Sequence, residues 1–327
     1  MSTINNLCQY NDPEGYKCKA QAEPSGYCFW HDKTIDKTHD NIQDKLTQYV
    51  RSGGLTRGIC LKEANLTGID LVNHHQKVGY DFSYTDFYRA NLSGAHLFNI
   101  NLSNASLMKA DLSDAKLNCG NLTRCNLLGV KWKGCKIENI NFGKKLMQEI
   151  NAKQALKANK PLLALDYFQQ AEEIYRDLRK HAEQEGLFSI GGTLIQKELT
   201  MRRYQMPKYS FKRIGSKIVD LFCGYGEDPL RIVGLSLIII FICALCYTFT
   251  GLNFRGEVLT FDASKTAIEN FSFFISCLYY SVVTFTTLGY GDFTPVGISR
   301  AIAAIQAFTG SFTIALFVVV FVKKMTR

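Results

Sequence analysis

The chain has 327 residues, of which 46% are hydrophobic and 20% charged, and it carries a formal net charge of +9. These totals describe a globular chain with room for two or three domains. The eleven cysteines, in a chain whose polar part reads as cytosolic, are thiols or metal ligands and not a disulfide framework. The average hides a split: residues 1–229 are polar and charge-rich, whereas residues 230–327 hold two long apolar runs and a cluster of aromatics.

Residues 1–54 open the chain. Met1 to Asn11 is polar, so no signal peptide is expected. Cys8, Cys18, Cys28 and His31 then follow with the spacing C-x9-C-x9-C-x2-H. Three thiolates and an imidazole suit tetrahedral zinc, and the short C-x2-H end lets one turn supply two ligands. Four protein ligands leave no open position, so such a Zn2+ is structural and not catalytic. Coincidental spacing is the alternative.

Residues 55–143 repeat every five residues, a period that belongs to neither helix nor strand. From Phe82 the centres run Phe87, Leu92, Leu97, Leu102, Leu107, Leu112, Leu117, Leu122, Leu127, Trp132, Ile137 and Phe142, in unbroken register. Two residues before most centres stands a small or apolar residue, such as Ala90, Ala95, Ala105 or Cys125. A five-residue unit with two inward side chains forms one side of a square coil. Four units close a turn of about twenty residues, and stacked turns pair at the ~4.8 Å strand spacing. "ANLSG", "ADLSD" and "GNLTR" resemble the pentapeptide-repeat family, whose A-(D/N)-L-x-x units build a right-handed quadrilateral β-helix. Leu61, Leu66 and Leu71 repeat the pattern in another phase, and one extra residue near His74 and His75 is expected to bulge from a coil. Tyr88, Met108 and Leu128 share one outward column, a candidate docking face for the following helices or a neighbouring subunit. The coil carries ten Lys or Arg against seven Asp or Glu, which argues against DNA mimicry, and no nucleic-acid partner is expected because the net positive charge is partly a cluster on the membrane side.

Residues 144–208 read as a helical linker. Pro161 opens a helix whose apolar face is Leu165, Phe168, Ala171, Tyr175, Leu178 and Ala182, and Gly186 ends it. A second helix is expected near Thr193 to Gln205. Residues 209–229 mix basic and apolar positions at helical spacing, as an interfacial helix does, and end in a turn.

Residues 230–327 contain uncharged runs at Ile232–Leu252 and Ala301–Val322, each long enough to span the ~30 Å hydrocarbon layer as a helix. Lys and Arg gather before the first run and after the second, which places both termini in the cytoplasm. Between them, "LYYSVVTFTTLGYGDFTP" resembles the pore loop of two-transmembrane bacterial potassium channels. The resemblance implies a re-entrant pore helix over Phe271–Phe285 and an ion selectivity filter of Thr287, Leu288, Gly289, Tyr290 and Gly291 holding K+. It also implies filter support from Tyr279, Tyr280 and Asp292. Val283 stands where some members carry a glutamate that pairs with the position of Asp292, which leaves filter inactivation open. Gly310, midway along the second run, is a candidate gating hinge, with helix packing as the alternative.

The expected architecture is therefore mixed: an N-terminal β-helix, a helical linker and an all-α two-helix transmembrane pore domain. The expected protein is a homotetrameric channel in a bacterial inner membrane, not an enzyme, whose coil assembles the tetramer or answers an unknown cytoplasmic ligand. The alternative is a membrane-anchored scaffold in which the coil binds a partner and the pore is silent.

Overall fold

The computed structural model describes residues 7–39, 41–74 and 76–326. The chain divides into two compact units, Met1–Lys208 and Tyr209–Arg327.

The first unit begins with two isolated antiparallel bridges, Leu7 with Gln21 and Asn11 with Lys17. Helix α1 (Ile42–Arg51) follows and buries Ile42, Leu46 and Val50, one residue per turn on a single face. These residues and Trp30 join the core that runs through the coil. The Cys60 amide donates to the Trp30 carbonyl, so this lead-in satisfies backbone at the start of the coil.

The coil is a ladder of parallel bridges twenty residues apart: Asp81 with Asn101, Asp86 with Ser106, Asn91 with Asp111, His96 with Lys116, and onward to Asn121 with Asn141. Five-residue units at a twenty-residue step make four sides per turn. Every centre from Phe82 to Ile137 is buried, and Phe142 is half-buried where the coil ends. The consensus has a local cause. Where an Asp or Asn precedes the centre, it accepts a bond from the amide two residues on, as in Ser93 N to Asn91 Oδ1 (3.1 Å) and Ser113 N to Asp111 Oδ1 (3.0 Å). Two residues past the centre the backbone turns left-handed, at Asn99, Asn104 and Asp114, types that tolerate it, but also at Tyr84, Arg89 and Lys109.

The first turn departs from expectation. Cys60, Asn65 and Asp70 pair with Asp86, Asn91 and His96, a step of twenty-six. Leu71 and Phe82 therefore flank a single corner, and the chain between them carries six residues beyond a normal unit, not the one extra residue expected near His74. The backbone pairing on either side stays in phase, so the excess is expelled as a loop. His74 there bonds Asp70 (3.1 Å) and is exposed; His75 lies outside the described residues. The expected docking column, Tyr88, Met108 and Leu128, is half-buried, and Leu128 packs on the core.

Helices α2 (Met147–Lys157), α3 (Pro161–Gln184) and α4 (Phe188–Gln205) follow the coil. His181 of α3 stacks on Trp132 (6.2 Å) and donates through Nε2 to the Cys135 carbonyl (2.7 Å), while Lys136 pairs with Glu185 (2.6 Å). The last coil is thus covered by helix. Helices α3 and α4 are tied by Glu172 with Arg202 and Glu198 with Arg179. α4 starts at Phe188, five residues before the expected Thr193, because Gly191 and Gly192 are buried in it and supply no apolar side chain to read.

The second unit starts with α5 (Phe211–Cys223), whose Phe211, Ile218 and Leu221 are exposed. A short 3-10 turn, Gly224–Gly226, leads to α6 (Pro229–Thr250). Strands β1 (Leu252–Phe254) and β2 (Glu257–Leu259), helix α7 (Ala267–Phe285), strand β3 (Phe293–Pro295) and helix α8 (Ile298–Met325) complete it. β1 pairs antiparallel with both β2 and β3, so the chain just after the glycine-bearing loop is stitched to the chain just after α6. Three-residue strands are too short to show a period, and the sequence did not reveal this sheet. α6, α7 and α8 are each long and apolar enough to cross a membrane. Most of their side chains lie outside the unit's own core, an apolar surface of the kind that hydrocarbon covers.

Candidate functional site: the loop after α7 and the thiol cluster

Helix α7 ends in a Schellman-type cap with Thr287 as its left-handed residue. Thr286 N bonds Val282 O (2.9 Å), Thr287 N bonds Thr284 O (3.1 Å) and Leu288 N bonds Val283 O (3.0 Å). The backbone then alternates. Thr287, Gly289 and Gly291 have φ of +59°, +60° and +79°, with ordinary values between. Glycine takes such angles at little cost; a β-branched threonine does not, and its strain is of the kind stored at functional sites. Leu288 and Tyr290 are 61% and 67% exposed within one chain.

The supporting residues divide their work. The Tyr279 ring lies parallel to Tyr290 (6.5 Å, 5°) and edge-on to Phe293 (6.3 Å). Tyr280 instead turns toward α6 and packs edge-on against Tyr247 (5.0 Å). Asp292 accepts from the Phe293 amide (3.0 Å) and is exposed. Val283 is buried. Gly310 is buried on α8 against the end of α7, and a Cβ there would lie 1.9 Å from the Phe285 carbonyl oxygen. Close packing alone demands glycine at this position.

Sequence reasoning missed Gln306, Ser281 and Tyr247. All three are buried, and hydrogen bonds link them across α8, α7 and α6. The available signal was Gln306 itself, a lone amide in an uncharged run, since polar side chains at membrane depth are costly unless partnered.

The four N-terminal residues converge. Cys28 Sγ lies 3.1 Å and Cys8 Sγ 3.7 Å from His31 Nδ1, and Cys18 Sγ lies 3.8 Å from Cys28 Sγ. All four are buried, and their donor atoms fall within 4.8 Å of one another. His31 Nε2 lies 2.8 Å from the Arg57 carbonyl, which can only accept. Nε2 therefore carries the proton, and Nδ1 turns its lone pair toward the sulfurs, as a metal ligand must. Burial pushes the Cys18 thiol up to about 12 and raises Cys28, while burial lowers His31. A neutral imidazole beside soft sulfurs fits a zinc ion, which ionises thiols outright. Arg57 locks the segment to the coil through Asp12 (2.7 Å), Glu14 (2.6 Å) and Asp81 (2.9 Å).

Two family models match the chain: ion channel over residues 234–327, and pentapeptide repeats, in eight copies, over 85–127 and 105–142. Neither family is enzymatic. Among solved structures, alr5209, a pentapeptide repeat protein from Nostoc PCC 7120, is 31% identical over 35% of this chain and 90% of its own, with a TM-score of 0.26. HetL, a pentapeptide repeat protein involved in heterocyst differentiation regulation in Nostoc sp. strain PCC 7120, is 32% identical over 25% of this chain and 38% of its own (TM-score 0.14). Rfr23 from Cyanothece 51142 is 18% identical over 32% of this chain and 96% of its own (TM-score 0.17). No curated protein matches. With a twenty-residue ladder in one unit and three membrane-length helices in the other, the chain is a membrane protein that fuses pentapeptide repeats to an ion-channel domain.

Proposed function

We propose that the protein is a potassium-selective channel built from four copies of this chain. The alternating left-handed backbone at Thr287, Gly289 and Gly291 carries the reading. Alternation turns successive carbonyls to one side, where their oxygens replace the water that K+ sheds. The Thr287 hydroxyl adds an oxygen at the inner end, and Tyr290, backed by Tyr279, braces the ring. One loop supplies only a quarter of such a cage, and the exposure of Leu288 and Tyr290 in a single chain supports four. In this reading α7 is a re-entrant pore helix, α6 and α8 span the bilayer, and both termini are cytoplasmic in a bacterial inner membrane. The β-helix, right-handed as in its family, assembles the tetramer or passes a cytoplasmic signal to the pore.

The test is ion flux in liposomes. Potassium flux that barium blocks, with sodium flux at background, is the expected result. Equal passage of sodium, or a protein that stays single-chain, overturns it. No flux from a well-formed tetramer favours the scaffold alternative.

We further propose that Cys8, Cys18, Cys28 and His31 hold a structural Zn2+. Elemental analysis should find one zinc per chain and none in Cys28→Ser. Metal-free wild-type protein that melts as the untreated one does would remove this assignment.

A further inference from the structure

Three helices of the channel unit meet at one buried amide. Gln306 of α8 is 2% exposed and Ser281 of α7 is 0% exposed. Gln306 Nε2 donates to Ser281 O (3.1 Å) and Ser281 Oγ (2.6 Å), and Ser281 Oγ donates to Ile240 O of α6 (2.8 Å). Tyr247 Oη, also on α6, donates to Gln306 Oε1 (2.7 Å). The Ser281 carbonyl only accepts, which fixes the amide's orientation: nitrogen toward α7, oxygen toward α6. Both N–H groups are used. In an apolar layer, each unpaired polar atom would cost about 1–3 kcal/mol, so the arrangement behaves as a unit.

One turn along α8, Gly310 sits against the Phe285 carbonyl. The two contacts keep step: Gln306 to Gly310 is four residues, and so is Ser281 to Phe285. The last turn of α7 is therefore held against α8 at two points, one by hydrogen bonds and one by close approach. Phe285 is two residues before Thr287, so any shift of α8 at this level reaches the inner end of the loop.

We propose that Gln306 is a positioning residue for the conduction filter: with Ser281 and Tyr247 it clamps the filter-bearing helix to both flanking helices, so that the filter holds its conducting form. The clamp rests on the potassium-channel reading. It assigns to this buried amide the bracing that Val283, being apolar, cannot supply by hydrogen bonding.

The test records full-length wild type, Gln306→Leu, Gln306→Glu and Tyr247→Phe in planar bilayers. Gln306→Leu should shorten the open state about tenfold, the scale of a lost buried hydrogen bond, at unchanged single-channel conductance and ion preference. Gln306→Glu should give a pH profile absent from wild type. A carboxylic acid buried in an apolar layer keeps its proton, and then offers an O–H to Ser281 and a C=O to Tyr247. Openings should approach wild type in acid and shorten as alkali ionises it. Should Gln306→Leu fail to assemble, Tyr247→Phe decides, with openings shortened about threefold, since only one hydroxyl is lost. Wild-type open times in Tyr247→Phe together with a flat pH profile for Gln306→Glu overturn the clamp. Equal passage of sodium by wild type would remove the potassium reading but leave the open-time comparison standing.

Discussion

The coil and the channel unit solve the same problem in opposite ways. In the coil, each turn's backbone bonds the turns above and below, and the centres from Phe82 to Ile137 are buried by their own neighbours. Its ends are closed too, by the thiol-bearing lead-in at one and by α3 at the other. The channel unit does the reverse. Its glycine-bearing loop projects Leu288 and Tyr290 outward, and most side chains of α6 and α8 find no cover within one chain. A region complete in itself gains stability from local repetition; a region left open needs other molecules before it can act.

That contrast can be broken most sharply at Gly289. Alanine there must take the left-handed angle at about 1–2 kcal/mol; in the proposed tetramer that is about 4–8 kcal/mol over four chains, and the proposed potassium flux should fall at least about a thousandfold. The coil's melting should not move, because nothing in it depends on the loop. Leu107→Ala is the converse. It empties a fully buried centre and should cost the coil about 2–5 kcal/mol, read by thermal melting, while ion preference in liposomes stays as in wild type. If Leu107→Ala changed ion preference, the two regions would not be separable.

A smaller effect tests whether the channel unit is packed as tightly where α7 meets α8. Gly310→Ala pushes a methyl group into the Phe285 carbonyl and should cost about 1–3 kcal/mol of local strain. Openings should shorten, whereas Gly234→Ala, on an open face of α6, should be silent. A hinge without contact predicts the opposite for Gly310→Ala, a stiffer helix with no disturbance of the loop after α7.

The smallest effect is acid sensitivity, expected first in the helices that cover the coil. Burial pushes Glu172 up, but bonds from Gln205, Arg202 and Arg176 outweigh it and hold the carboxyl below its ordinary value. A group depressed in the folded state adds stability above its unfolded pKa and loses it as pH falls through the folded one. The part of the first unit's stability that Glu172 contributes should therefore be lost only below the usual carboxylate range, and Glu172→Gln should flatten that part of the decline. A decline that begins near neutrality would point to histidine instead.

Much of this was legible in the residues. The five-residue repeat could be read because each unit makes its own corner: the Asp or Asn, the centre and the left-handed position lie within a few residues of one another. The thiol cluster was legible from ligand types, and the channel domain from its uncharged runs and glycine loop. Helix α2 was not, because its buried face includes Gln148 and Glu149, which look solvent-facing in sequence. Glu149 is buried because Tyr175 of α3, twenty-six residues away, donates its hydroxyl to it. The six-residue excess after Leu71 was misjudged because only pairing between turns reveals which corner it occupies.

Sequence alone determined what depends on neighbours along the chain: the coil's five-residue period, the long uncharged runs and the glycine positions of the loop. Tertiary structure decided what depends on groups far apart: the register of the first turn, the lone pair His31 offers the thiols, and the union of Gln306, Ser281 and Tyr247. The reason is that a backbone angle is set largely by adjacent residues, whereas a buried polar side chain such as Gln306 is costly until groups distant in the chain bring it partners.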